Sequence, residues 1–479
     1  MSETLVKSFK TTSSFALLAL IRPLTSVLFI PVYLRYLAPA EYGTMGLLLS
    51  FTAILTVLAN LKLTAALRVQ YFQYSEAPAK AAQFTKNVFS FLLLFALGAW
   101  LLMLWIGPGL FDLIFARQNI AYRSLGLLAV SAALTNICKE PMIVVLRNER
   151  NLKALSRYIV VDRILTISAQ LLLIIEFNMG VAGIFYGILL ADILLLSFMV
   201  LYEQMFTFNI QKEFILPALR FTIPLIPFGI MEAFQIKFDK YFVGLYTTLE
   251  DVGLYTLAMT IGGMIYMLLT ALMSTIRPMV YKALNQPDAS LNATLQRHYT
   301  YYIVLAFWGL YGLFIAGTQI SLFTDNEVYA SVEKLMGLTI LVFIPIPMTR
   351  IFNSELMYLQ RSKEVTGYTF IKLVLTLALY FLLLPRIGLE GALITLLISN
   401  FFNMMIFGFT ARKHMEVKAH PWRVFFTLTG VLIISILIHY HVNSIPFIIK
   451  LIGSSTLILL TGIYYLKKFS GHNHKSSHS

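Results

Sequence analysis

Charged side chains occur inside several long apolar runs of this sequence. Arg22 lies about eight residues into the first run, which contains no acidic residue. Lys139 and Arg350 occupy two later runs, each in line with polar side chains at helical spacing. A charge at the centre of a bilayer costs about 2.5–3.5 kcal/mol on insertion scales, so such residues usually face a cavity or a partner. These three cations are therefore candidates for a functional site.

Two further polar residues extend lines of the same kind. Asn60 follows Thr52 and Thr56 at four-residue intervals, and Arg277 closes a similar line that begins at Thr256. Each has a structural alternative. Serine and threonine hydroxyls in membrane helices commonly bond their own backbone, and an arginine at the end of a span can serve only to orient it.

Three acidic residues inside apolar runs are candidates for ion coupling, namely Glu232, Asp239 and Asp162. Glu232 and Asp239 lie on one helical face of the seventh run. Asp162 is followed directly by Arg163, and Lys139 directly by an acid, so structural ion pairs within or between helices are the alternative for both.

The elements that must position these residues follow from the composition. The chain has 479 residues, of which 58% are hydrophobic and only 13% charged, whereas soluble domains carry about 25% charged residues. Its mean hydropathy is +0.77. We therefore predict an all-α polytopic membrane protein with about 14 transmembrane helices. The predicted spans are 14–34, 43–66, 87–107, 124–146, 157–176, 181–202, 219–242, 253–276, 299–321, 335–358, 365–384, 388–410, 424–441 and 446–466.

The net charge of +14 does not indicate binding to nucleic acid, because the basic residues concentrate in alternate short loops such as 147–157 and 412–423. Lysine and arginine in loops mark the cytoplasmic side, which places both termini of this multi-pass chain in the cytoplasm. The single cysteine, Cys138, excludes an internal disulfide and a cysteine-based metal site. We predict neither a metal nor a cofactor, and no nucleic-acid partner.

A weak repeat of about 210 residues divides the chain. Glu41-Tyr42-Gly43 and Asp251-Val252-Gly253 open corresponding spans, and Lys139 is paired with Arg350. An even number of spans per copy makes the repeat parallel. We predict two six-helix bundles, 1–205 and 206–411, followed by an extra helix pair and cytoplasmic tail, 412–479. Two bundles related in this way are a transporter architecture with the substrate site between the halves.

Several motifs resemble a known group of transporters. They are Tyr33-Leu34-Arg35-Tyr36-Leu37 before Glu41-Tyr42-Gly43, and Pro224, Pro227 and Asp239-Lys240-Tyr241-Phe242 before Val252-Gly253-Leu254-Tyr255. In their order and spacing, over about residues 10–410, the chain resembles the O-antigen flippases. These are polysaccharide flippases of the multidrug/oligosaccharidyl-lipid/polysaccharide (MOP) exporter superfamily.

The resemblance implies a function as well as a fold. The substrate would be an undecaprenyl-diphosphate-linked oligosaccharide that crosses the bacterial inner membrane by alternating access, for O-antigen lipopolysaccharide or another surface polysaccharide. Its diphosphate would contact the cations, because guanidinium groups bind phosphate oxygens bidentately. The implied substrate-binding residues are Arg22, Asn60, Lys139, Arg277 and Arg350. Implied partners are membrane lipid, a polysaccharide polymerase and a chain-length regulator.

Three other functions remain open on the sequence. A membrane polysaccharide polymerase would need a large loop with paired acids, and no such loop occurs. A multidrug exporter of the same superfamily would need an acidic cavity for cationic drugs. A lipid II flippase shares the phosphate chemistry. Within any of these transporters, Pro224 and Pro227 predict a hinge in the seventh span.

Overall fold

The computed structural model describes residue 25 and residues 28–74, 77–285, 289–414, 421–441 and 447–470. Over these residues the chain is helical and contains no strand. Among these described residues, ten helices are long and apolar enough to cross a membrane. The protein is therefore an all-α polytopic membrane protein, as predicted.

Eighteen α-helices are numbered here in chain order. They are α1 Ile30–Tyr36, α2 Pro39–Ala59, α3 Leu63–Gln70, α4 Pro78–Phe115, α5 Leu127–Asn148, α6 Leu152–Leu171, α7 Gly180–Leu201, α8 Lys212–Thr222, α9 Ile226–Lys237, α10 Asp239–Tyr246, α11 Leu249–Asn285, α12 Ala289–Gly317, α13 Glu327–Ala330, α14 Val332–Phe343, α15 Ile346–Tyr358, α16 Ser362–His414, α17 Trp422–His441 and α18 Phe447–Ser470.

Several of the predicted spans are broken rather than continuous, among them the second and the seventh. The second, 43–66, is interrupted after Asn60, where Leu61 and Lys62 adopt positive φ angles of 49° and 55°. The seventh, 219–242, is interrupted by a 3₁₀ turn at Ile223–Leu225, which contains Pro224. Proline lacks a backbone N–H and clashes with the preceding turn, so the interruption falls where the predicted hinge lies. The eleventh and twelfth predicted spans meet within α16 at a kink, where Ile387 and Gly388 leave the helical conformation and Gly388 has a φ of +55°.

The chain divides into two compact units, Met1–Thr256 and Leu257–Ser479. In the first unit α5 is central, packing against α2, α4 and α7. Alanine residues on α5 permit close approach. The hydroxyl of Thr52 on α2, which donates to Leu48 O at 2.7 Å, also lies 3.3 Å from the carbonyl oxygen of Ala129 on α5.

In the second unit α14 and α15 form the buried centre, and both pack against α16. The C-terminal pair α17 and α18 pack on each other and on α12. Two polar contacts fix this packing. Trp308 Nε1 donates to Ile458 O at 3.3 Å, and the hydroxyl of Tyr440 accepts from Gly337 N at 3.2 Å.

The connection between α7 and α8 is held against α4. Buried Ser90 accepts a hydrogen bond from Thr207 N at 2.8 Å, and buried Asn87 accepts one from Gln211 N at 2.6 Å. Gln83 Nε2 adds a third bond, to the side chain of Gln211, at 3.0 Å. We call this connection, residues 202–211, the anchored linker.

Candidate functional site

Lys139 lies in a buried ion network that joins α5, α6 and α7. Its ammonium nitrogen is 2.8 Å from Asp162 Oδ1 on α6 and also pairs with Asp192 on α7. Arg163 donates to the other oxygen of Asp162 at 2.7 Å, and Thr135 donates to Asp192 Oδ2 at 2.7 Å. Both carboxylates are fully buried, and the exposed fraction of Lys139 is 2%.

Among the described residues of this network, two cations face two anions. Removing ions from water costs several kcal/mol each, and a close partner with well-placed hydrogen bonds offsets that cost. The pairing of Asp162 with Arg163 is the structural ion pair that the sequence offered as an alternative. Lys139, predicted to bind substrate, and Asp162, predicted to couple ions, are thus brought into one site, which also includes Asp192.

Arg350 has a different environment in the second unit. On α15, its guanidinium carbon lies 4.3 Å from the ring centroid of Tyr266 on α11, a cation–π geometry. Among the described residues, none accepts a hydrogen bond from Arg350 Nε, and none pairs with the hydroxyl of Tyr302. No carboxylate in this part of the chain forms an ion pair with Arg350. The positive charge is therefore not neutralised by the described protein residues.

Asp239 is buried at the first turn of α10, in the first unit. The hydroxyl of Tyr255 donates to its Oδ2 at 2.9 Å, and its Oδ1 has no hydrogen-bond partner among the described residues. One carboxylate oxygen of Asp239 is thus held by a neutral donor.

The remaining predicted residues are separate from these sites or outside the description. Asn60 is buried at the break after α2 and accepts from the hydroxyl of Thr64 at 3.3 Å. Arg277 is exposed on α11, near the C-terminal end of that helix. Arg22 and the side chain of Glu232 lie outside the described residues.

Among the intramembrane charges that the sequence analysis missed are Asp192 and Lys372. Asp192 completes the network of Lys139. Lys372 lies in the first half of α16, on the side of the helix opposite Phe370, Val374 and Phe381, whose side chains are more than half exposed. Among the described residues no carboxylate pairs with Lys372. A charged residue inside an apolar run was the available signal for both.

A further polar contact lies outside the membrane-spanning segments. Tyr71, just after α3, donates from its hydroxyl to Glu149 Oε1 at 3.1 Å, beyond the end of α5. Burial, together with the charge of Glu149, raises the pKa of Tyr71 to about 12. The phenol therefore remains a hydrogen-bond donor at neutral pH.

The fold is that of several solved transporters. A structure described as lipid II flippase MurJ in an inward closed conformation aligns with a TM-score of 0.67 and 15% identity, over 98% of this chain and 99% of that one. A multidrug resistance transporter of the MATE family, in the MOP superfamily, aligns with a TM-score of 0.59 and 15% identity, over 84% and 94%.

A third structure is a MOP superfamily transporter from Pyrococcus furiosus, with a TM-score of 0.56, 16% identity and coverage of 87% and 95%. The three structures are thus described as transporters or a flippase, and not as polymerases or other enzymes. A search of curated protein sequences gave no match.

A family model settles the membership that the fold leaves open. The model described as "polysaccharide biosynthesis protein" matches residues 32–317, more than half of the chain. With the MOP superfamily fold and the intramembrane charges, this agrees with the resemblance carried by the sequence motifs. The chain belongs to the polysaccharide biosynthesis protein family, and its fold is shared by solved transporters of the MOP superfamily and by the flippase MurJ.

Proposed function

We propose that the chain moves an undecaprenyl-diphosphate-linked oligosaccharide across the bacterial inner membrane, for O-antigen or another surface polysaccharide. The observation that carries this proposal is Arg350, a membrane-embedded guanidinium that no described carboxylate neutralises. In a polysaccharide biosynthesis protein with a transporter fold, an anionic lipid headgroup is a suitable partner for such a charge.

The diphosphate of the lipid would supply the anionic partner that Arg350 lacks among the described residues. Guanidinium and phosphate form short, bidentate, charge-assisted hydrogen bonds, and the Tyr266 ring leaves the guanidinium edge available for them. We propose Lys372 as a second anion contact and keep Arg22, Asn60 and Arg277 as proposed contacts.

For Lys139 we propose a role within its ion network rather than direct contact with the diphosphate, because two carboxylates already pair with its ammonium group. Asp162 would then act in ion coupling together with Asp192. Asp239 and Glu232 are the other proposed coupling residues.

The transport cycle that we propose is alternating access between two six-helix bundles, 1–205 and 206–411, with the pair 412–479 outside the repeat. Both termini would be cytoplasmic. The 3₁₀ turn at Ile223–Leu225 is the proposed hinge of the seventh span, because a short turn between helices absorbs a change of direction at little cost. A polysaccharide polymerase and a chain-length regulator are the proposed protein partners.

A lipid II flippase is the second candidate, favoured by the alignment with MurJ over nearly the whole of both chains. A multidrug exporter is less suited to the site, since a cationic drug would be repelled by an unneutralised arginine. The two flippase functions differ in the glycan on the lipid and not in the diphosphate.

A deletion strain tests the proposal and separates these candidates. Without the chain, we expect loss of surface glycan and accumulation of the lipid-linked oligosaccharide in the cytoplasmic leaflet. The leaflet is identified by membrane-impermeant periodate on right-side-out and inverted vesicles, and plasmid-borne wild type should restore both readouts. Accumulation of lipid II with normal surface glycan would favour the second candidate. Unchanged leaflet distributions of both lipids would refute both.

A further inference from the structure

The first turns of α2 and α11 meet at glycine residues. A Cβ atom on Gly43 would overlap the carbonyl oxygen of Leu249 and lie 2.9 Å from Gly253 N. A Cβ atom on Gly253 would overlap the carbonyl oxygen of Pro39 and lie 3.2 Å from Gly43 N. Both segments belong to the first compact unit. Only glycine allows the two backbones to approach this closely.

The contact is reciprocal across the sequence repeat. Gly43 and Gly253 are 210 residues apart, and so are Pro39 and Leu249. Gly43 faces the carbonyl group of Leu249, and Gly253 faces that of Pro39. Each glycine thus contacts the residue four positions before the other glycine. A chance meeting of two helices does not produce such symmetry, so the repeat itself specifies this contact.

The two helices also begin in the same way. Glu41 accepts a hydrogen bond from Ala38 N at 2.8 Å, and Asp251 accepts one from Thr248 N at 3.2 Å. Helix N-termini carry partial positive charge, so two of them side by side repel each other. A carboxylate in the first turn of each helix offsets that repulsion. The acids thus allow the two like-charged ends to lie together.

We propose that this contact is a reversible outer seal of the transport pathway. The inference rests on the proposed function, in which α2 and α11 belong to different six-helix bundles and start at the external face. Alternating access requires such bundles to separate on one side at a time. A contact between glycines and carbonyl oxygens can open and close repeatedly, because it consists of many weak van der Waals contacts that are lost once the helices move apart.

Thiol accessibility tests the seal without knowledge of the substrate. Thr256 lies against Gly46, one turn deeper than the glycine pair, and is 3% exposed. In a Cys138→Ala background, Thr256→Cys would be the single thiol in the chain. We expect a membrane-impermeant maleimide added to intact cells to label it slowly. Reporter fusions after Gln118 and after Lys153, expected to be external and cytoplasmic, fix which side the reagent reaches.

Gly43→Ala and Gly253→Ala should each raise the external labelling rate about tenfold, the population shift that about 1.4 kcal/mol produces. Gly263→Ala is the matched control, because it lies on the same α11 helix and has no atom within 4 Å of an added Cβ. It should leave the rate unchanged. Protein abundance by immunoblot shows whether each variant assembles.

If the alanine variants do not accumulate, Glu41→Gln and Asp251→Asn test the same seal with side chains of unchanged size. They remove the charges that offset the two helix ends, and we expect a smaller rise in labelling. Equal external labelling of wild type and all variants would overturn the proposal, as would labelling from the cytoplasmic side alone. If the deletion strain instead shows no change in leaflet distribution, the proposed function fails while the labelling still reports on the seal.

Discussion

Lys139 and Arg350, which the repeat pairs, have different surroundings in the two units. In the first unit, Lys139 is buried and pairs with both Asp162 and Asp192. In the second, Arg350 lies over the ring of Tyr266 and has no acidic partner among the described residues. Two positions that the predicted repeat pairs therefore hold a cation in different surroundings.

The difference shows how burial and ion pairing distinguish a cation that stabilises the fold from a cation that can bind a ligand. A buried cation with two carboxylate partners stabilises helix packing only while all partners are present. A cation on an aromatic ring is held in place, yet its hydrogen-bond donors remain free for a ligand. Removal of the Lys139 side chain should therefore mainly lower stability, and removal of the Arg350 side chain should mainly lower transport.

The largest expected effect is on stability at Lys139. Lys139→Ala removes the cation that pairs with two buried carboxylates, and breaking a buried pair in this way costs about 3–5 kcal/mol. We expect a clearly lower melting temperature in detergent and reduced abundance in membranes, measured by fluorescence-detected size-exclusion chromatography after heating. Arg412→Ala, at an exposed position near the end of α16, is the control. A wild-type melting temperature for Lys139→Ala would remove the distinction between the two sites.

The next effect is on transport at Arg350. A hydrogen bond to a charged group contributes about 1.5–3 kcal/mol, so Arg350→Ala should lower export about tenfold to a hundredfold at normal abundance. Arg350→Lys should retain part of the activity because the charge remains while the bidentate geometry is lost. Surface-glycan staining beside membrane immunoblots measures both. Full glycan display by Arg350→Glu would mean that the diphosphate is bound elsewhere.

The smallest effect concerns the ring beneath Arg350. A cation–π contact contributes about 0.5–2 kcal/mol, so Tyr266→Leu should reduce export severalfold, whereas Tyr266→Phe should retain most of it. Initial transport rates at several substrate concentrations should show weaker apparent binding for the leucine variant. Equal rates for leucine and phenylalanine would show that the ring does not position Arg350.

Much of the fold was predictable because the bilayer imposes long apolar helices. Each predicted run from residue 43 onward corresponds to helical segments. The break after Asn60 was not predictable, since Leu61 and Lys62 are not residue types that favour positive φ. The interruption near Pro224 was predictable from proline chemistry.

The candidate site was harder to predict from the sequence than the fold. Single-helix spacing identified Lys139 and Asp162 separately, but their shared network depends on how three helices pack, and it includes Asp192, which stands alone in its own apolar run. The ring of Tyr266 under Arg350 is likewise a contact between distant segments. Such contacts depend on side-chain packing between helices, which periodicity along one helix does not describe.

The anchored linker limits how two copies of this chain could exchange halves. Domain swapping needs a connection that can extend freely, so that one half docks on a neighbouring molecule. Here the linker is bonded through Thr207 and Gln211 to buried side chains of α4. These bonds hold the start of the predicted second bundle against α4 of its own chain, which raises its effective concentration there. Even in a crowded membrane, pairing within one polypeptide is therefore favoured over pairing between two.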